Sequence, residues 1–216
     1  MTPLSYNALL CDRGVIFMPR KINEKHREAK RSMILENARY VFCRKGFSNV
    51  TMGDIINECG ISRGGIYLYF SSVDEIFQEV ITTRGTSRFS AVKQAAEKNE
   101  PFNIVLQDYL SLQKERLLHL ENGLLRAMYE YVFSKAEGAT HDFRCAQFDS
   151  LRKSVLCILN LGVSQGVIQN KNIEIIADNF LLIIEGLGVL ALTNILTAKI
   201  IDEQFNILRK LVGVST

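Results

Sequence analysis

The 216-residue chain is short of the features that mark most other classes of protein. It has only three prolines, so long stretches carry no helix breaker. Strand-type alternation of apolar and polar residues is nowhere sustained, which argues against a sheet. The five cysteines (Cys11, Cys43, Cys59, Cys145 and Cys157) are odd in number and widely spaced. They form neither a C-x-x-C pair nor a zinc-type spacing with histidine, so no disulfide framework, metal site or other cofactor is expected. Reduced thiols of this kind suit the cytoplasm. The opening "MTPLSYNALLCDRGVIF" lacks a basic segment followed by a continuous apolar run, and no secretory signal is read there. The longest apolar stretch, "FLLIIEGLGVLAL" (Phe180–Leu192), is interrupted by Glu185 and is too short to span a bilayer. His26, His119 and His141 are scattered, and no H-E-x-x-H, G-x-S-x-G or phosphate-binding glycine loop occurs, so an enzyme is not the expectation.

What the chain does hold is apolar residues at helical spacing and an uneven distribution of charge. At 47% hydrophobic and 23% charged it has ordinary globular composition, enough for one large core or a small domain fused to a larger one. From Met18 to Phe70 ten Lys/Arg stand against five acids, whereas the whole chain is only +3. A basic head on a mildly acidic body points to a polyanionic partner for the head, although a charge run is also what a solvated helix face carries.

Helical periodicity begins near Glu24, with an apolar stripe at Ile34, Leu35, Ala38, Val41 and Phe42 and Gly46 as the stop. Thr51 is placed to cap a second helix whose inner face is Met52, Ile55, Ile56 and Cys59, and Gly60 ends it. Ser62 then caps a third helix that buries Ile66 and Phe70, and "SVDE" (Ser72 to Glu75) has the capping-box form that starts a fourth. Later helices are expected at roughly 102–121, 122–136, 142–166, 173–198 and 202–212. The fold class is all-α.

Two short helices joined by a glycine turn, the second capped by serine, make a helix-turn-helix at residues 51–70. Its second helix carries "SRGGIYLYF". Two glycines there would be costly in a helix built only to pack, at about 1 kcal/mol each relative to alanine. They make sense if Gly64 and Gly65 keep the leading turn slim for close approach to a nucleic-acid backbone. Tyr67 and Tyr69 carry hydroxyls that can reach phosphates, Arg63 offers charge and a bidentate fork, and Leu68 suits a thymine methyl.

"SRGGIYLYF", with "GFSNVTMGDIINECGI" before it, resembles the recognition segment of the TetR family of helix-turn-helix transcriptional regulators. The likeness covers roughly residues 28–81. Val50, Ile56, Cys59 and Val73 depart from the usual pattern, and Val73 stands where many relatives hold a phosphate with lysine. The resemblance implies a dimeric regulator of double-stranded DNA, most often a repressor that binds a palindromic operator and is released by a small-molecule effector. An activator, a ligand-insensitive regulator, or a helical ligand-binding protein or enzyme without DNA binding are the alternatives. Carried over residue by residue, the DNA-contacting set is Thr51, Arg63, Gly64, Gly65, Tyr67, Leu68 and Tyr69, with Arg20 and Lys21 in the preceding arm compensating for Val73. Residues 1–18 are read as a dispensable extension, 19–80 as the DNA-binding domain, and 81–216 as the effector-binding and dimerisation domain.

In that body the segment Ile173–Leu196 is apolar around most of its circumference, as a helix covered on several sides must be. Polar residues inside apolar helical segments are the candidate effector contacts: Tyr109, Gln113, Arg116, Arg126, Tyr129, Glu130 and Glu185. Glu185 stands out because a buried carboxylate needs a partner or a shifted pKa, and a structural or dimer-contact role competes with ligand binding for it.

Overall fold

The computed structural model describes residues 24–120, 123–136, 138–169 and 172–214. The N-terminal extension and the arm containing Arg20 and Lys21 lie outside the described residues. Nine helices and no strand are found among those described: α1 (Glu24–Lys45), α2 (Met52–Cys59), α3 (Arg63–Tyr67), α4 (Val73–Glu97), α5 (Phe102–Leu118), α6 (Leu124–Ser134), α7 (His141–Ser164), α8 (Ile173–Ala191) and α9 (Ala198–Leu211).

Local chemistry sets the boundaries of the first four. Gly46 stops α1 in the left-handed region at φ +75°, with its N–H donating to the Phe42 carbonyl at 2.9 Å. Thr51 and Asp54 form a reciprocal capping box on α2, and Gly60 ends that helix at φ +61°. The Ser62 hydroxyl accepts from Gly65 N–H and starts α3. On α4 the Ser72 hydroxyl accepts from Glu75 N–H at 3.1 Å. The Glu75 carboxylate reaches one residue further back than a capping box requires, to the Ser71 N–H at 2.7 Å.

The buried apolar side chains fall into two clusters. The first joins Ile34, Ala38 and Phe42 of α1, Ile55, Ile66, Phe70, and Ile76, Phe77 and Val80 of α4. It is completed by Ala127 and Tyr131 of α6, from the body. Phe42, Phe47, Phe77 and Tyr131 form a ring cluster there, with centroid separations of 4.9 Å (Phe42–Phe77), 5.0 Å (Phe47–Phe77) and 4.8 Å (Phe47–Tyr131). Each fully buried phenylalanine contributes about 1.5–3 kcal/mol by removal from water, so α6 is held to the head by a substantial apolar contact. The second cluster is built from α5, α7, α8 and α9 around Leu106, Leu110, Ile158, Leu159, Phe180 and Phe205.

The tail of the chain departs from expectation. The helix read as 173–198 ends at Ala191, and the last helix begins at Ala198 rather than near 202. Asn194 adopts a left-handed backbone at φ +57°, and the Thr197 hydroxyl accepts from Ile200 N–H at 3.3 Å. A break and a fresh N-cap therefore sit inside an apolar run that reads as continuous. The third helix also stops at Tyr67, and Phe70 is buried from the turn that follows it. No described helix is long and apolar enough to cross a membrane.

Candidate nucleic-acid interface and ligand cleft

The α2–α3 unit is oriented by α1 and α4. Arg31 of α1 pairs bidentately with Glu79 of α4, donates from Nη1 to the Tyr69 carbonyl at 2.9 Å, and stacks over the Phe70 ring at 4.3 Å. It thus ties the end of the α3 segment to two longer helices. From sequence alone Arg31 has no role beyond the charge of the basic head. The i+4 step from Arg31 to the buried Leu35, placing both on one helix face, is the signal that could have shown this tie.

On the outer side, Arg63, Gly64, Tyr67 and Leu68 are exposed together, Leu68 at 75%. The Arg63 guanidinium lies 5.9 Å from the Tyr67 ring centroid. A Cβ added at Gly64 would meet nothing within 4 Å, so packing within the chain does not demand glycine there. At Gly65 a Cβ would come within 3.1 Å of the Ser62 hydroxyl that caps the helix. Tyr69 is only partly exposed and packs on the head core, so the two tyrosines do not share a surroundings. Thr51 is exposed, and its hydroxyl is engaged with Asp54 at 2.8 Å. Lys45 meets Asp54 and Arg44 meets Glu58, each at 2.5 Å, so these cations at the end of α1 are matched by acids of α2. The Lys45 and Thr51 donors hold the Asp54 carboxyl down at about 2.

The candidate effector residues divide into two groups. Tyr109, Gln113 and Tyr129 are buried, and Arg116 lies among them with its Nη1 donating to the Gln113 carbonyl at 2.6 Å. Arg88 of α4 joins this group, although sequence reading did not select it. It follows Ile81 and Gly85 and precedes Val92 at three- and four-residue steps, on the inward stripe of α4. Burial, with the Arg116 and Arg84 charges, pushes the Arg88 guanidinium down to about 10, and burial lowers Arg116 as well. Burial raises Tyr109 to about 12. Burial and the Glu185 carboxylate, which lies near the hydroxyl without a well-formed hydrogen bond, raise Tyr129.

The second group lines a cleft of about 690 Å³ between the end of α5, α6 and the segment after α8. Arg126, Tyr129 and Glu130 border it with Leu117, Phe133 and Leu196, and Ser48 of the head also lines it. Glu130 is already engaged: one carboxylate oxygen accepts from Phe47 N–H at 2.7 Å and Ser48 N–H at 3.0 Å, and the other from Arg126 at 2.7 Å. These donors hold its carboxyl below the usual range against the opposing effect of burial. Glu185, expected as a buried carboxylate, is exposed in the single chain, because the outward face of α8 carries it alongside Leu182 and Gly186.

A capped glycine turn holding a short, bare helix on a three-helix support defines a helix-turn-helix regulator of transcription. Residues 34–80 match the model for bacterial regulatory proteins of the tetR family. The chain is 31% identical over 153 residues to the helix-turn-helix-type transcriptional regulator YfiR of Bacillus subtilis (strain 168), covering 70% of this chain and 74% of that one. It is 27% identical over 127 residues to the regulator AcrR of Shigella flexneri, where the match spans 56% of this chain and 55% of the other. Among solved structures, reduced E. coli NemR superposes with TM-score 0.68 at 10% identity, over 87% of this chain and all of that one. A TetR-family transcriptional regulator from Agrobacterium tumefaciens superposes with TM-score 0.64 at 18% identity, over 86% and 98%. The protein belongs to the tetR family of bacterial regulatory proteins.

Proposed function

We propose that this regulator is a repressor that binds a palindromic operator as a homodimer and is released by a small-molecule effector. The observation that carries the reading is the bare face of α3, where Arg63, Gly64, Tyr67 and Leu68 are exposed side by side on a helix whose other side is buried. In this reading residues 19–80 read DNA. Arg63 pairs with a base edge or phosphate, Tyr67 and Tyr69 donate to phosphates, Leu68 meets a thymine methyl, and the backbone at Thr51, Gly64 and Gly65 approaches the duplex, with Arg20 and Lys21 supplementing from the arm. Residues 81–216 bind the effector and pair the subunits in the cytoplasm, without catalysis.

Support for pairing comes from the outer faces of α8 and α9. Leu182 of α8 is 67% exposed and borders a shallow groove with Gly186, Leu190 and Ile200, while Ile207 and Leu211 of α9 are 46% and 41% exposed. Exposed apolar side chains on two successive helices are what a subunit interface would cover. Two copies joined there would present two α3 helices to half-sites about 34–36 Å apart. Selecting bound DNA from a random pool tests the whole reading: a palindromic site is expected. Failure to enrich any sequence, with the protein folded and dimeric, would overturn it.

A further inference from the structure

The interior of the body holds more hydrogen-bond donors than it can satisfy. Arg88 comes from α4 and Arg116 from α5, and neither forms an ion pair with a carboxylate among the described residues. The Arg88 Nε atom is buried with no acceptor. The one side-chain hydrogen bond of Arg116 is to the neutral amide of Gln113. Both residues are partly exposed, but a guanidinium largely withdrawn from water without an anion is still costly. The Tyr129 hydroxyl is also buried; the Glu185 carboxylate lies near it without a well-formed hydrogen bond, and the hydroxyl rests against Gly188, where a Cβ would come within 2.4 Å of it. Three arginines (Arg84, Arg88, Arg116) bear on one another here, and the acid that bears on Arg116 and Tyr129 is the exposed Glu185.

Glu185 is exposed and pairs with neither arginine, so among the described residues the two guanidinium groups have no anionic acceptor. Tyr129 also forms part of the wall of the 690 Å³ cleft, whose other walls include Leu117, Leu118, Phe133, Leu192 and Leu196. One tyrosine thus belongs both to a cationic interior and to a cleft of the size that small-molecule sites have, where these apolar walls are joined by a polar side of Arg126, Glu130 and Ser134.

We propose that the effector is an acidic amphiphile: its oxyanion headgroup is bound by Arg88 and Arg116 with the hydroxyls of Tyr109 and Tyr129, and its apolar body lies in the cleft. The inference rests on the reading of the body as an effector domain. A forked guanidinium accepts a carboxylate or a phosphate equally well, so the headgroup is left to the experiment. A cationic or neutral amphiphile would leave the same donors unsatisfied, and a cation would be repelled.

The test is isothermal titration of the full-length dimer with octanoate, octyl phosphate, octanol and octylamine, each below its micelle concentration. At least one of the two anions is expected to bind at least tenfold more tightly than octanol and octylamine, and the preferred one identifies the headgroup. Arg88→Met should lose at least tenfold in that anion's affinity while its melting temperature stays level or rises, since a half-buried charge without an ion pair has been removed. Glu185→Gln should tighten the anion several-fold by removing the opposing charge. Should Arg88→Met fail to fold, Tyr129→Phe takes its place, with a several-fold loss expected. Octanol or octylamine binding as tightly as the anions would overturn the proposal, and so would unchanged anion affinity in Arg88→Met or, in its place, Tyr129→Phe. Because binding is read on the protein alone, its failure is distinct from failure of the DNA selection, which tests the regulator itself.

Discussion

Glu130 and Gly46 make a contact between body and head that can be measured as a coupling. The Glu130 carboxylate accepts two backbone N–H bonds, from Phe47 at 2.7 Å and Ser48 at 3.0 Å, directly after the stop of α1. It fits because residue 46 is glycine. A Cβ there would come within 2.3–2.7 Å of the carboxylate atoms, and the backbone is at φ +75°. Hydrogen bonds to a charged group are worth about 1.5–3 kcal/mol each, and partial exposure of Glu130 places this pair toward the lower end. Glu130→Ala should therefore cost about 2–4 kcal/mol. Glu130→Gln should cost less, because an amide oxygen can keep both backbone donors without the charge. Gly46→Ala has two separable costs: about 1 kcal/mol for an L-residue at positive φ, and expulsion of the Glu130 carboxylate. Only the first survives in the Glu130→Ala background. A double-mutant cycle by urea denaturation should thus give a coupling that approaches the cost of Glu130→Ala, about 2–4 kcal/mol when expulsion is complete, with the double variant less destabilised than the sum. Strict additivity of the two single variants would refute the contact, as would a Glu130→Ala midpoint equal to wild type. The same cycle, read as operator affinity, tests whether the contact passes an effector's influence to α3, since the cleft borders both Glu130 and Ser48.

Other perturbations address separate parts of the molecule. Tyr67→Phe should weaken operator binding by about 0.5–1.5 kcal/mol, the range for one neutral hydrogen bond, with the fold intact by circular dichroism; unchanged affinity in a filter-binding assay would remove that hydroxyl from the contact set. Leu182→Asp puts a charge into the exposed apolar stripe of α8 and should shift sedimentation velocity from dimer to monomer, while a persistent dimer would place the interface elsewhere. The Asp54 carboxyl sits at about 2 against an ordinary 3.8. Its contribution to stability is therefore complete above pH 3.8 and is lost as pH falls toward 2, where the unfolded chain takes up the proton first. Asp54→Asn should flatten the pH dependence of the unfolding midpoint in that window, and an unchanged slope would contradict the role of Lys45 and Thr51 in holding the carboxylate. Thr51→Ala removes the other half of the same capping box and should lower stability by about 1 kcal/mol in denaturant titration.

Sequence alone determined the parts of this protein whose causes are local. The caps at Thr51, Ser62 and Ser72 and the stops at Gly46 and Gly60 act over three or four residues, so α1 to α4 and the turn between α2 and α3 were legible without any knowledge of packing. The bare face of α3 could be read for the same reason, since Arg63 and Tyr67, and Gly64 and Leu68, stand at four-residue steps on one exposed arc while the apolar Ile66 is buried. Where local signals compete, sequence reading went astray: the helix expected over 173–198 is broken by Asn194 and restarted by Thr197, within a run whose hydrophobicity hid both. Tertiary structure decided the rest. Glu130 reads as the second half of an i,i+4 pair with Arg126, yet it also reaches Phe47, 83 residues away in sequence, because α6 packs Ala127 and Tyr131 into the head core. Arg88 lies on an inward stripe that the spacing reveals, but whether a carboxylate waits opposite depends on which faces of α5 and α6 arrive there. Hydrogen bonds within a turn are set by neighbours along the chain. The partner of a buried charge is set by how helices cross, and helical periodicity specifies which face is turned inward without specifying what that face will meet.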